Sequence, residues 1–265
     1  MVAKIEDIMN IMENVAPVNL KESYDNVGLM VGDREAEVHK VLVALDCTVD
    51  VIEEAKSIGA ELILTHHPLL FRKPKTITTD TLQGKKIISL IKNHIGLYSS
   101  HTNWDSVSGG LNDTFVRFLG FNSGEIIDKN PNNDKSGIGR IINLQEEKTL
   151  EEIIDMIKEK LNLEFLRFSG DLKKTIKRIS IVNGSGEDYL DKSYEMGADL
   201  VITGDTTYHF VSDYSEMGLS IIDVGHFNSE WPVVVELSKL VKEAVKAMDV
   251  EVVISKVVKD PYNFI

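Results

Sequence analysis

Imidazole and carboxylate groups concentrate in three short stretches of the chain. Thr65-His66-His67-Pro68 closes one apolar run. His101-Thr102-Asn103-Trp104-Asp105 and His226-Phe227-Asn228-Ser229-Glu230 each set a histidine after such a run and a carboxylate four residues later. If a helix starts there, the carboxylate lies about one turn beyond the strand end and can converge with the imidazole. His66 and His67 point to opposite faces for as long as a strand continues. They can serve one centre only where the chain has begun to turn, and Pro68 biases His67 away from helix. The candidate ligands are then His66, His67, His101 and His226 with Asp105 and Glu230. Six groups exceed what one tetrahedral site with an open position uses; they suit two cations sharing a carboxylate. Mixed imidazole and carboxylate donors favour Zn²⁺, Fe²⁺, Mn²⁺ or Co²⁺ over Ca²⁺ or Mg²⁺. Two such ions about 3.5–4 Å apart acidify a water and clamp an anionic transition state, which is hydrolytic chemistry.

Other residues carry weaker signals. Asp46 ends an apolar run and either faces the same crevice or caps a turn. In Thr203-Gly204-Asp205-Thr206-Thr207-Tyr208-His209, Asp205 and His209 are candidates to line the cavity. His209 is read as a substrate-side acid, base or positioning group, or else as structural. Asn183-Gly184-Ser185-Gly186 is read as a backbone phosphate cradle or as a tight turn, and it matches no full phosphate-loop motif. His39 is expected on the solvated surface, His94 against helix-terminal carbonyls, and Cys47 as a small buried hydrophobe.

These groups need elements to position them. Ile5, Ile8, Met12 and Val15 recur at helical spacing until Pro17 ends the pattern. Ser23-Tyr24-Asp25-Asn26-Val27-Gly28 has turn chemistry. Val41–Asp46 reads as a strand. Asp50 with Glu53 then predicts a capped helix to Ile58, ended by a left-handed Gly59, and Glu61–Thr65 a second strand, making a βαβ unit. A helix over 85–93, a strand over 95–100 and a helix over 111–119 follow. The polar residues 121–135 read as a linker. A strand over 138–144, a helix over 149–161 capped by Thr149 and Glu152, and a strand over 163–168 read as a small βαβ-like element.

The second half repeats the first. Val41 to Leu64 and Ile179 to Ile202 align without a gap at one offset (179 − 41 and 202 − 64 both give 138). Leu97-Tyr98-Ser99-Ser100-His101 is set against Ile222-Asp223-Val224-Gly225-His226. The expected fold is α/β. Two similar α/β halves, related by an internal pseudo-repeat, each carry a mostly parallel or mixed sheet flanked by helices, with a dinuclear metal site between them. The expected boundaries are 1–122, a connecting segment over 123–175, and 176–265.

The net charge of −13 disfavours nucleic acid, because phosphate binding needs clustered cations. The densest basic stretch, Lys173-Lys174-Thr175-Ile176-Lys177-Arg178, reads as a solvated loop entering a strand. No apolar run reaches the roughly 18 residues of a membrane span, no signal-peptide core opens the chain, and Cys47 stands alone, so no intrachain disulfide or cysteine cluster can form. A cytoplasmic protein is expected.

Together, Tyr24-Asp25-Asn26-Val27-Gly28-Leu29, Val43-Ala44-Leu45-Asp46, Thr65-His66-His67-Pro68-Leu69 and the two His-to-carboxylate stretches resemble the GTP cyclohydrolase I type 2 family, also described as NGG-interacting-factor-like proteins. The resemblance spans nearly the whole chain, in the short form without an inserted domain. It implies two divalent cations, one held by His67, Asp105 and Glu230 and the other by His66, His226 and the bridging Glu230. His101 would then lie beside them, as a catalytic group with His209. It further implies a ring-shaped homohexamer with metal sites facing an inner cavity. The family name implies hydrolytic opening of the imidazole ring of GTP, a small-molecule nucleotide substrate, to formate and dihydroneopterin triphosphate. Metal-activated water would attack C8 while a histidine moves protons. The alternatives are a metal-dependent phosphohydrolase or phosphodiesterase acting on nucleotides, a metal-binding regulatory or interaction protein without turnover, and a metal-storage protein.

Overall fold

A computed structural model describes residues 2–263 and 265 of the chain. In order, the first elements are α1 (Ile5–Val15), β1 (Gly28–Val31), β2 (Lys40–Ala44), α2 (Val49–Ile58), β3 (Leu62–Thr65), α3 (Leu82–Lys92) and β4 (Gly96–Ser99). Then come α4 (Thr102–Ser106), α5 (Leu111–Phe118), β5 (Glu125–Asn130), β6 (Asn133–Thr149), α6 (Leu150–Leu161), β7 (Arg167–Ser169) and β8 (Thr175–Ser185). The chain ends with α7 (Leu190–Glu195), β9 (Leu200–Gly204), α8 (Tyr208–Glu216), β10 (Ser220–Asp223), α9 (His226–Val245) and β11 (Glu251–Ile254). Two compact units result. One takes the chain up to Trp104 with Val234–Lys259, and the other takes Asp105–Val233.

The first unit holds a five-stranded sheet in the order β1-β4-β3-β2-β11. β2, β3, β4 and β11 run parallel, and β1 is an antiparallel edge. The central strands are largely apolar, as strands covered on both sheet faces are; all four residues of β3 are buried. Leu42, Ala44, Ile63 and Leu97 pack with Val51, Ile52 and Ala55 of α2 and Ile87 and Leu90 of α3. Each Leu, Ile or Val among them contributes roughly 1.5–3 kcal/mol. α2 starts two residues earlier than expected from Asp50 and Glu53. Its cap is Thr48, whose side chain accepts from the Val51 N–H, and Gly59 ends it at φ 68°. Because three parallel strands end on one edge of the sheet, the residues after them, Asp46, His66, His67 and His101, gather there.

The second unit holds a six-stranded sheet, β5-β6-β8-β9-β10-β7. β8, β9 and β10 are parallel; β7 is an antiparallel edge on β10, and β6 runs antiparallel to β8. Ile138, Ile141, Val182, Val201 and Ile221 pack with Leu190 and Tyr214. Residues 121–135, expected as a linker, instead carry β5 and the start of β6. Backbone pairing holds this hairpin, and Ile127 and Asn130 are the buried residues of β5. α6 begins where Thr149 and Glu152 form the expected capping box. Its neighbours β5, β6 and β7 are strands of the same sheet as β8–β10, so the segment over 123–175 is built into that sheet. The basic stretch enters β8 as anticipated, with Lys174 Nζ donating to the carbonyls of Asp199 and Gly218.

The internal repeat is visible in strand register. Val41 pairs with Leu62 and Ile179 with Leu200, and Val43 pairs with Leu64 as Ile181 does with Ile202, all at the offset found in the sequence. The repeat is also longer than the aligned residues. α1-β1-β2-α2-β3-α3-β4 matches α6-β7-β8-α7-β9-α8-β10 element for element, edge strands included. One detail is corrected. Leu97 pairs with Ile63 and Ile221 with Val201, so Leu97 corresponds to Ile221 rather than Ile222. The additional residue before His226 is Gly225, at φ 84°.

Candidate functional site

In the first unit, the ring nitrogens of His66, His67 and His101 include one atom from each within 4.8 Å of the others. Their ring centroids are 5.1–5.7 Å apart. Each ring is fixed through Nδ1. His66, fully buried, donates Nδ1–H to the Ser100 carbonyl at 2.9 Å. His67 Nδ1 lies 2.9 Å from Asp46 Oδ1, and His101 Nδ1 lies 2.9 Å from Asp25 Oδ1. Carbonyl and carboxylate oxygens only accept, so each Nδ1 carries a proton. Asp46, weighed from the sequence as a crevice group or a turn cap, is thus an imidazole anchor.

Asp25 is buried, and Thr102 donates to its Oδ2 from both the backbone N–H (3.0 Å) and the hydroxyl (2.5 Å). Burial by itself would raise its carboxyl pKa. The hydrogen bond and charge of His101, with the two bonds from Thr102, outweigh burial and hold it well below the usual carboxylate range. In sequence Asp25 reads only as part of a turn. Its place in the Tyr24–Leu29 block was the available signal, and its separation from His101 hid the pairing. Cys47 is buried, and burial pushes its thiol up to about 12, which leaves it a packing residue.

In the second unit, His226 opens α9 and Glu230 follows one turn later, with Nε2 and Oε2 3.0 Å apart. His226 Nδ1 is 2.7 Å from Asp205 Oδ2. The ring therefore meets a carboxylate oxygen at each nitrogen. A neutral imidazole donates from one nitrogen only, so the second contact takes either a proton or a cation. Glu230 is nearly fully buried, and its space is made by Gly184. A methyl group there would overlap Glu230 Oε1 and come within 3.5 Å of His226 Nε2, at φ +63°. Asn183–Ser185, most of the stretch read as a phosphate cradle or a tight turn, is strand. It is the end of β8 shaped around a carboxylate, with the Gly184 N–H donating to Ser229 Oγ at 2.8 Å.

Asp105 lies buried in α4, where Asn183 Nδ2 donates to its Oδ1 at 2.8 Å and Asn112 Nδ2 to its backbone carbonyl. His209 is exposed in the first turn of α8, its ring edge-on to Tyr208. His39 and His94 are exposed, His94 at the end of α3 with φ 54°. The donor chemistry of both clusters fits a divalent transition cation, because anchored imidazoles and a cradled carboxylate are what such an ion binds. These buried His and Glu groups could hold a metal ion.

A two-sheet α/β chain with imidazole–carboxylate clusters at its strand ends defines a class of candidate metalloprotein. Its family is shown directly: the chain belongs to the Duf34/NIF3 (NGG1p interacting factor 3) family, which matches residues 3–261. It is 64% identical to a protein of Clostridium perfringens (strain 13 / Type A) named GTP cyclohydrolase 1 type 2 homolog, over 99% of this chain and 100% of that one. A hypothetical protein of Staphylococcus aureus has a crystal structure 30% identical to this chain, with a TM-score of 0.91 and full coverage of both chains. A Bacillus cereus protein described as related to NIF3 is 25% identical, also with a TM-score of 0.91 and full coverage of both. No helix among the described residues is long and apolar enough to cross a membrane.

Proposed function

We propose that the chain is a metal-dependent hydrolase acting on a nucleotide, with ring opening of GTP as its reaction. In this reading His66, His67, Asp105, His226 and Glu230 hold two divalent cations (Zn, Fe, Mn or Co), with Glu230 shared. The observation that carries it is the anchoring of the imidazoles. His66, His67, His101 and His226 each have Nδ1 against an oxygen acceptor, which fixes the orientation of Nε2; in His226 that nitrogen meets Glu230 Oε2. The name borne by the Clostridium perfringens relative supports the choice of substrate. When bound, such a pair of cations lowers the pKa of water and offsets developing negative charge.

The chain's own groups supply the rest. Asp25 keeps a proton on His101 Nδ1, so Nε2 is the nitrogen that exchanges a proton with the attacking water and the leaving nitrogen. Asp46 and Asp205 hold their imidazoles in one orientation, which lowers the cost of organising the site before reaction. His209, exposed at the start of α8, takes a substrate-positioning role. We further propose a ring-shaped homohexamer located in the cytoplasm.

The test is metal analysis of the purified chain followed by a nucleotide panel with formate and phosphate both measured. Two equivalents of transition metal and formate from GTP are expected. Phosphate without formate would replace ring opening by phosphohydrolysis. Glu230→Gln should remove metal and turnover together, and a binding activity that survives this change would favour an interaction protein. Sedimentation of the native protein tests the hexamer.

A further inference from the structure

The repeat gives each copy the same niche, between its third helix and its antiparallel edge strand, and the two niches differ in the kind of side chain that lines them. In the first unit the niche between α3 and β1 is aliphatic, with Met30, Ile87, Leu90 and Ile91 on its walls. In the second unit the niche between α8 and β7 is a cavity of about 620 Å³. It has two aromatic walls, Phe168 and Tyr208, over an apolar floor of Val211 and Ile221. Hydroxyls of Thr206, Thr207 and Ser212 line it, together with the charged groups of Arg167, Glu216 and Asp223. Packing alone calls for the aliphatic version. Large aromatic side chains left exposed beside hydroxyls (Tyr208 at 79%, Phe168 at 45%) are what a planar, polar-edged ligand requires.

The cavity also adjoins the site chemistry within its own unit. Asp223 Oδ2 accepts from the Thr206 N–H and hydroxyl and from Arg167, while its Oδ1 accepts from Gly225 N–H next to His226. Thr206 in turn follows Asp205, the anchor of His226. Arg167 keeps most of its side chain in solvent although its Nη2 donates to Asp223 and to the Thr206 carbonyl, which leaves donor capacity for a ligand.

We propose that the α8–β7 cavity is the nucleotide-recognition pocket. The base lies against Tyr208 and Phe168, and the phosphate end meets Arg167. The inference rests on the nucleotide reading above and names where that substrate is held.

The experiment is equilibrium binding of GMP and guanosine to the full-length protein by calorimetry, with and without added Zn²⁺, alongside metal analysis of the same samples. Tyr208→Ala should weaken GMP binding on the order of tenfold, the usual effect of losing one aromatic–base stack. Metal content should not change. Ile91→Ala, at an exposed position on the other niche, should leave binding as it is. Arg167→Ala should erase the preference for GMP over guanosine. Binding unchanged in Tyr208→Ala, or no GMP binding by the metal-loaded parent, overturns the pocket while the metal reading stands. Tyr208-dependent binding without any turnover keeps the pocket and overturns the hydrolase.

Discussion

The two copies of the α-β-β-α-β-α-β unit share strand register and divide the site chemistry differently. At the position occupied by His67 in the first copy, the second copy has Asp205, and at that of Asp46 it has Gly184 (205 − 67 and 184 − 46 both give 138). In the first copy an imidazole at this position is anchored by Asp46; in the second a carboxylate at this position anchors the imidazole of His226. The same scaffold has exchanged donor and anchor. What the backbone conserves is where a strand ends, and the residue placed there decides whether the copy presents imidazoles or a cradled carboxylate.

The largest effect should come from an element the first copy lacks. The β5–β6 hairpin is tied to α5 by Arg140, which is 2% exposed. Its Nε and Nη2 donate to the two Asp113 oxygens at 2.6 and 2.9 Å. Asp113→Ala leaves a buried guanidinium without its counter-charge and should cost about 3–5 kcal/mol in urea unfolding. A loss under 1 kcal/mol would mean the hairpin is an ornament on the repeat.

Next is Gly184→Ala. The residue sits at φ +63° with Glu230 Oε1 where a Cβ would go. Left-handed strain and overpacking together should cost about 2–4 kcal/mol, with loss of bound metal as Glu230 is displaced. Retained stability and metal content would show that the cradle yields without consequence.

A third effect depends on pH. Asp25 has its carboxyl pKa lowered in the folded state. Its contribution is therefore complete above the unfolded value of about 3.9 and is lost as pH falls toward the folded one. Asp25→Asn should cost about 1.5–3 kcal/mol at pH 7, the range for hydrogen bonds to a charged group. The difference from the parent should shrink between pH 5 and pH 3, measured on metal-free protein by thermal unfolding. A pH-independent difference would mean the Asp25–His101 contact is not ionic.

How much of this was legible in the sequence depends on which interaction holds each piece. β2, β3 and β4 are apolar runs, and the Thr149–Glu152 box fixes the start of α6 through its own side chains, so these are readable. The spacing from His226 to Glu230 was equally direct, because α9 starts at His226. β5 and the start of β6 are held by backbone pairing with mostly polar side chains, so residues 121–135 look like a linker, whereas the buried middle of β6 reads as a strand. The repeat elements α1-β1 and α6-β7 agree in placement and pairing but not in alignable sequence, so that part of the repeat emerges only in three dimensions. Gly184 and Asp25 act on partners 46 and 76 residues away (230 − 184 and 101 − 25), distances over which local patterns say nothing.

The smallest effect on stability should come from the exchanged anchor itself. Asp46 leaves 52% of its side chain in solvent, and its bond to His67 Nδ1 is an exposed pair. Such pairs contribute about 0–1 kcal/mol, so Asp46→Ala should unfold almost as the parent does. Metal binding is a different measure, because removing the group that orients a ligating imidazole commonly costs about 10–100-fold in affinity. Chelator competition should show that loss in Asp46→Ala, and Asp205→Ala should match it if the two copies do exchange donor and anchor. Unequal losses would make one copy the dominant metal holder. Equal affinities in parent and both variants would mean that neither carboxylate orients a ligand, and the correspondence between positions 67 and 205 would be one of backbone alone.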